Sequence, residues 1–177
     1  YIRFEGVAGS EWLALDNFGM SLTKSVSLQT GGTLTAGKLS GQDVSIQFGS
    51  SATSTALLTN LAGGQRLTNV EIEAYLPDNG SKTGARLIDE FKFSDVGLTT
   101  LSAYGNSGGT GNSATFTFTQ FTRAHVEYDS ISGKTTSTTG TGFDFAVNKS
   151  IGAATPAADA VNSKSAPPQN QVSDGPL

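Results

Sequence analysis

Residues 114–128 read ATFTFTQFTRAHVEY. Phe116, Phe118, Ala124, Val126 and Tyr128 share one parity, and Arg123, His125 and Glu127 share the other. An apolar face thus alternates with a wet one at the two-residue period of an extended chain, and one long strand from Ala114 to Tyr128 is expected. The same period recurs on either side. Tyr1 to Val7 alternates, and Gln42 to Phe48 sets Val44, Ile46 and Phe48 against Asp43, Ser45 and Gln47. In Leu67 to Leu76 the pattern predicts Val70, Ile72, Ala74 and Leu76 inward, with Asn69, Glu71, Glu73 and Tyr75 outward. Leu87 to Leu98 carries Phe91 and Phe93 as a core pair, and Gly142 to Ile151 closes the series with Phe143, Phe145 and Val147 inward. Pro77-Asp78-Asn79-Gly80, Gly105 to Asn112 and Ser132 to Thr141 read as turns, because their Gly, Asn and Asp residues accept positive φ. The class is mainly β, built from hairpins.

One segment departs from this period. Ser51 to Leu61 places Leu57, Leu58 and Leu61 at helical spacing, with Ser50 or Ser51 for an N-cap and Gly63-Gly64 where a C-cap belongs. A single short helix on the β core is expected. After Ile151 the composition changes. Ala153 to Leu177 has no aromatic residue and holds four of the five prolines, so it cannot build a core. The expected organisation is a β domain over 1–152 and an extended Pro/Ala/Ser/Asn-rich tail over 153–177, ordered by contact with neighbouring subunits. At roughly 3.3 Å per residue the tail could span about 80 Å.

The chain has 177 residues, enough for one domain and an appendage. With no cysteine it has neither disulfides nor thiolate chemistry. Eleven Lys and Arg against fifteen Asp and Glu leave a net charge of −4 without a basic run, which removes the main electrostatic term of nucleic-acid binding. Only 15% of residues are charged, while Gly, Ser and Thr abound, a composition suited to extracellular or assembled β proteins. The opening at Tyr1 rather than Met leads us to expect a removed secretory leader. No stretch approaches the roughly 18 apolar residues of a membrane helix, so membrane insertion is not expected.

Few residues suggest chemistry. Gly32 to Lys38 fits the start of a phosphate-binding loop, but Leu39 stands where Ser or Thr is needed and a strand follows instead of a helix. A Gly-rich hairpin tip is the better reading. His125 is the only histidine, so a Ser-His-Asp triad would have to be built on it. Its neighbours Arg123 and Glu127 make a charged stripe the simpler role. The acid pairs Asp89 and Glu90, or Glu71 and Glu73, could in principle serve glycoside hydrolysis, yet outward acids on a strand need no catalytic explanation. Asp78-Asn79-Gly80 lacks the repeated acids of a calcium loop. Trp12 with Tyr1, Tyr75 and Tyr104 could form a sugar-stacking platform. No cofactor and no metal are expected.

The order of the pieces resembles a known family. An opening strand with its Gly-containing turn leads to Trp12-Leu13-Ala14-Leu15 and Phe18-Gly19-Met20-Ser21. A long Gly-rich loop then ends in Ala36-Gly37-Lys38, before Gln42-Asp43-Val44-Ser45-Ile46. The second half brings the short helix, the strand Leu67 to Tyr75, a long strand pair around Ser107-Gly108-Gly109, Phe121 through Tyr128, and Gly142-Phe143-Asp144 with Asn148. Over about residues 1 to 151 this is similar to the haemolysin-coregulated protein (Hcp) family, the tube protein of type VI secretion systems. The resemblance implies a β-barrel-like double sheet with one helix, assembling into six-membered rings that stack into a hollow tube, and no residue that performs chemistry. It also implies that the loop from about Lys24 to Ser40 projects onto the neighbouring ring.

The expected assembly interface follows: Val26, Leu28, Gln29, Thr30, Gly31, Gly32, Thr33, Leu34, Lys38 and Leu39 in the loop, and Val161, Pro167, Pro168 and Val172 in the tail. The expected partners are further copies of the chain, as a homo-hexamer and stacked polymer, together with secreted effector cargo or other secretion-system components. The missing Met, the low charge and the tail suggest a secreted relative that polymerises outside the cell; the alternative location is the cytoplasm before export through a type VI secretion system. Two other functions compete, a secreted monomeric β-sandwich that binds carbohydrate or acts as an adhesin, and a hydrolase using His125 or an acidic pair.

Overall fold

A computed structural model describes residues 1–9, 11–41, 43–77, 85–106, 109–130 and 132–152. The chain forms β1 (Ile2–Glu5), β2 (Leu15–Gly19), β3 (Leu22–Leu28), β4 (Leu34–Gly41), β5 (Val44–Gly49), α1 (Ala52–Gly63), β6 (Leu67–Pro77), β7 (Ala85–Asn106), β8 (Gly109–Thr117), β9 (Gln120–Tyr128), β10 (Thr135–Asp144) and β11 (Lys149–Ile151). The mainly β class with one short helix is what forms.

Its spine is a long hairpin. The 22-residue strand β7 pairs through its second half with β8, from Asn106↔Gly109 to Gly97↔Thr117, and through its first half with β9, from Ser94↔Gln120 to Asp89↔His125. The expected single strand over 114–128 is therefore two strands in line along one edge of β7, interrupted at Phe118 and Thr119. The Thr119 amide still donates to the Ser94 carbonyl at 3.2 Å. The break lets Phe121, of the opposite parity to Phe116, enter the core beside it.

Because the hairpin is long, its halves serve two sheets. On one side β1 pairs with β6, β6 with β7, and β9 continues through β10 to β11; on the other, β7 pairs with β8, followed by β5 and β2. Aromatic contacts show the two layers face to face: Phe4 meets Phe48 at 5.7 Å, Phe18 meets Phe91 at 5.1 Å and Phe93 meets Phe116 at 5.4 Å between ring centroids. Ile2, Phe4, Val44, Ile46, Phe48, Val70, Ile72, Phe93 and Phe116 fill the space between, each removing apolar surface worth about 1.5–3 kcal/mol. Paired amide bonds between Ile2 and Leu13, at 2.9 and 2.8 Å, join the sheets at one corner and make the architecture barrel-like.

Several expectations are corrected. The strands run through most of Gly105 to Asn112, and β10 begins at Thr135 within the supposed turn of 132–141; its Thr-rich sequence suits an extended chain. Val147 lies in the turn before β11 and is 67% exposed. Leu76 is 51% exposed, because a register shift between Ala74 and Tyr75 breaks the alternation. In α1 the buried stripe is Thr53, Leu57 and Asn60, while Leu58 faces out, since successive helical residues point about 100° apart. The helix starts at N-cap Ser51, whose amide donates to Ser54 Oγ at 3.2 Å, and ends at Gly64 with φ 62°. The turn at 78–80 and the tail positions Val161, Pro167, Pro168 and Val172 fall outside the described residues.

Candidate assembly surface

Strands β3 and β4 form a two-stranded ribbon that pairs with no other strand among the described residues. The register Lys24↔Leu39, Val26↔Ala36 and Leu28↔Leu34 puts Leu22, Lys24, Val26, Leu28, Leu34, Ala36 and Leu39 on one mostly apolar face, with Thr23, Ser25, Ser27 and Thr35 on the other. The sequence around Leu22 already alternates, which makes Leu22 a legible member of this face beyond the expected set. Exposure reaches 59% at Val26, 70% at Leu28 and 69% at Leu34. Such a ribbon is marginal alone in water, and its apolar face has no cover among the described residues.

The loop residues belong to the turn of this ribbon. The Gln29 amide donates to the Thr33 carbonyl at 2.9 Å, and the Gly32 amide to the Gln29 carbonyl at 3.0 Å, enclosing Thr30, Gly31 and Gly32. Gly31 and Gly32 take φ of 111° and 82°, which only glycine adopts freely. In β4 Gly37 and Lys38 together oppose Ser25, a bulge between Lys24↔Leu39 and Val26↔Ala36 that turns the ribbon and leaves Lys38 exposed. Leu39 is half-buried. At the base, a Cβ on Gly41 would meet the Phe145 ring at 2.9 Å, so glycine allows the ring to hold the ribbon to the body. Gly32 to Lys38 is thus tip and strand, with no helix N-terminus to cradle a phosphate.

The other candidates are dispersed. Asp89 accepts from Arg123 at 2.8 Å and lies 3.1 Å from His125 Nδ1. Arg123 also covers Phe91, its guanidinium 5.2 Å from the ring centre. Glu71 and Glu73, expected outward, are only 6% and 2% exposed, because β6 lies between β1 and β7 and their neighbours close over its outer face. Glu71 bonds Arg3 and Lys92. Burial raises its carboxyl, and the bonds from Lys92 and Arg3 outweigh that, so its pKa falls below the ordinary value. Lys92 is raised, first by its bond to Glu71. Burial, then the bond to Glu73, raises the Tyr75 phenol, which lies 2.7 Å from Glu73 Oε2.

Of the four aromatic residues expected as a platform, Tyr104 stands apart from Tyr1 and Tyr75. Tyr1 packs edge-on against Tyr75 at 5.8 Å and Trp12 stacks with Arg3 at 5.0 Å. Tyr104 pairs with Gly111 near the end of β7, whereas Tyr75 pairs with Leu87 near its start. Among the described residues no group of three His, Asp or Glu gathers as a metal site, and no helix is long and apolar enough to cross a membrane.

Comparison with known proteins matches the same architecture. No curated protein is similar to the chain by sequence comparison. Among solved structures, one described as a type six secretion system protein superposes with a TM-score of 0.72 at 18% identity, covering 85% of this chain and 98% of the other. Hcp1 from Salmonella typhimurium gives 0.64 at 16% identity over 85% and 96% of the two chains, and Hcp1 from Flavobacterium johnsoniae gives 0.54 at 14% over 81% and 99%. At these identities the likeness concerns the fold. Residues 7–131, from the turn after β1 to the turn before β10, match the family described as type VI secretion system effector, Hcp, and the chain therefore belongs to the Hcp family.

Proposed function

We propose that the protein is structural, and that its copies form hexameric rings stacking into a hollow tube or filament, with the β3–β4 ribbon as the contact between successive rings. The observation that carries this is the free-standing ribbon, whose Val26, Leu28 and Leu34 are exposed among the described residues. A chain that builds a two-stranded sheet with one apolar face needs a partner surface, and a head-to-tail stack supplies the same surface at every level. The loop set Val26, Leu28, Gln29, Thr30, Gly31, Gly32, Thr33, Leu34, Lys38 and Leu39 forms that contact. In this reading the domain is 1–152 and the tail 153–177, through Val161, Pro167, Pro168 and Val172, lies along a neighbouring subunit. The low charge and the tail favour a filament outside the cell; an intracellular pool exported by a type VI secretion system, with effector cargo in the tube, is the other setting of the same assembly.

Electron microscopy of the purified chain, paired with light scattering, tests the reading. The expected result is rings of six 18.2 kDa chains, or tubes built from them. Monomers at every concentration would overturn it.

A further inference from the structure

The second sheet has an outer face unlike that of the first. In the register of β2, β5, β8 and the second half of β7, outward side chains line up in rows across four strands: Asn17, Gln47, Ser113 and Ser102 in one, and Gly19, Ser45, Thr115 and Thr100 in the next. Each of these positions is an amide, a hydroxyl or glycine, in a chain where 15% of residues are charged. Asp16, the bulged residue of β2, and Asp43, ahead of β5, stand at the borders. The other sheet carries Arg3, Glu5, Lys92, Arg123 and Asp89 in ion pairs. Among the described residues no side-chain hydrogen bond engages Asn17, Ser45, Gln47, Ser113 or Ser102, so their donors and acceptors are open to a ligand. A shallow groove of about 350 Å³ runs over Asn17, Ser45, Gln47, Ser113 and Thr115.

A third row ends this face with an aromatic ring. Gly49 pairs with Gly111, and Gly111 with Tyr104. The Tyr104 ring lies on Gly111, where any Cβ would collide with it. The absence of a side chain at Gly111 thus lets the ring pack on the strand, with 41% of the residue exposed. It stands two residues from Ser102, about 7 Å along the strand.

We infer that this face is a binding surface for a neutral polysaccharide strand. Uncharged hydroxyls and amides in rows match the hydroxyl groups of such a chain, each able both to donate and to accept. A partly exposed phenol beside the groove offers the apolar face of a sugar ring an aromatic contact. Strands about 4.8 Å apart carry a row across roughly 14 Å, a spacing comparable with the advance of a β-linked pyranose chain per residue, so several sugar rings each meet one strand. An anionic partner would find no cation there and would meet Asp16 and Asp43 at the borders, and an apolar one would strip water from polar groups without replacing their hydrogen bonds. The inference does not depend on tube formation.

The test uses the full chain with cellohexaose, mannohexaose and chitohexaose as neutral probes and oligogalacturonate as the charged one, read by calorimetry. At least one neutral hexaose should bind and oligogalacturonate should not. Tyr104→Ala should weaken that binding about tenfold, the upper range for one lost aromatic contact. Ser113→Asp should weaken it comparably, by setting a charge in the groove. Both substitutions face solvent, and unchanged thermal unfolding verifies the fold. The inference is overturned if no neutral hexaose binds, if oligogalacturonate binds as well as they do, or if both variants bind like wild type. Altered ring assembly in Ser113→Asp with no glycan binding by the wild type would instead mark this face as a contact between copies. Light scattering on the same samples keeps that outcome separate from the fate of the tube reading.

Discussion

Glu71 shows how one side chain departs from its strand pattern. On β6 it sits opposite Lys92, with Arg3 on the other flank, and three strands close around it. Removing its carboxylate by Glu71→Ala leaves two cations beside a buried gap. The expected cost is roughly 2–3 kcal/mol, below the 3–5 kcal/mol of a fully buried pair because Arg3 and Lys92 keep partial access to water. Chemical denaturation checks it, and a loss under about 0.5 kcal/mol, the range of ordinary surface substitutions, would show the pair to be incidental. The sign with pH follows from the shifts. The folded value for Glu71 lies below its ordinary 4.5, so its contribution is complete above about pH 4.5 and is lost as pH falls through the folded value. Lys92 is raised above 10.5, so its contribution is present below that and is lost as pH climbs through its folded value. Tyr75 is raised above 10.0; from about pH 10 upward the unfolded phenol ionises first and stability declines further. Denaturation midpoints should therefore drop on both the acid and the alkaline side, and Glu71→Gln should flatten the acid limb. An acid limb as steep in that variant as in wild type would assign the loss to other carboxylates.

Elements decide what residues cannot. The alternation in residues 44–48 translated directly into burial, with Val44, Ile46 and Phe48 inside and Ser45 and Gln47 outside, because β5 lies in a sheet with one dry face. The same rule failed on β6, buried on both faces over part of its length. It failed again across Phe118 and Thr119, where the chain passes from one sheet to the other and the parity changes. The β3–β4 ribbon is the converse case. Its pattern was legible as alternation, but that it stands apart from both sheets is visible only when every other strand has a partner. Leu28→Asp combined with Leu34→Asp should abolish ring stacking while shifting the unfolding free energy by no more than about 0.5 kcal/mol, as expected of exposed sites. Electron microscopy and thermal melts check the two halves of this statement. Tubes as long as those of the wild type would remove the ribbon from the ring contact.

For the whole molecule, the composition break after Ile151 predicts that the β domain stands without its tail. A chain truncated at residue 152 should unfold with the same midpoint as the full chain yet form fewer or shorter filaments, measured by melting and by microscopy. Equal filament formation would dissociate the tail from assembly. The sequence alone determined the β class, a single helix starting near Ser50 or Ser51 and ending near Gly63-Gly64, most of the apolar inventory of the core and the family likeness, because periodicity, capping and composition are local properties repeated along the chain. Only the tertiary structure decided that β7, β8 and β9 make one hairpin shared by two sheets, that Glu71 and Glu73 are enclosed, and that Tyr104 lies apart from Tyr1 and Tyr75. It alone aligned Asn17, Gln47, Ser113 and Ser102 in a single row. Those outcomes depend on which strands become neighbours, and neighbours far apart in sequence are selected by the packing of whole faces, a quantity no local window contains.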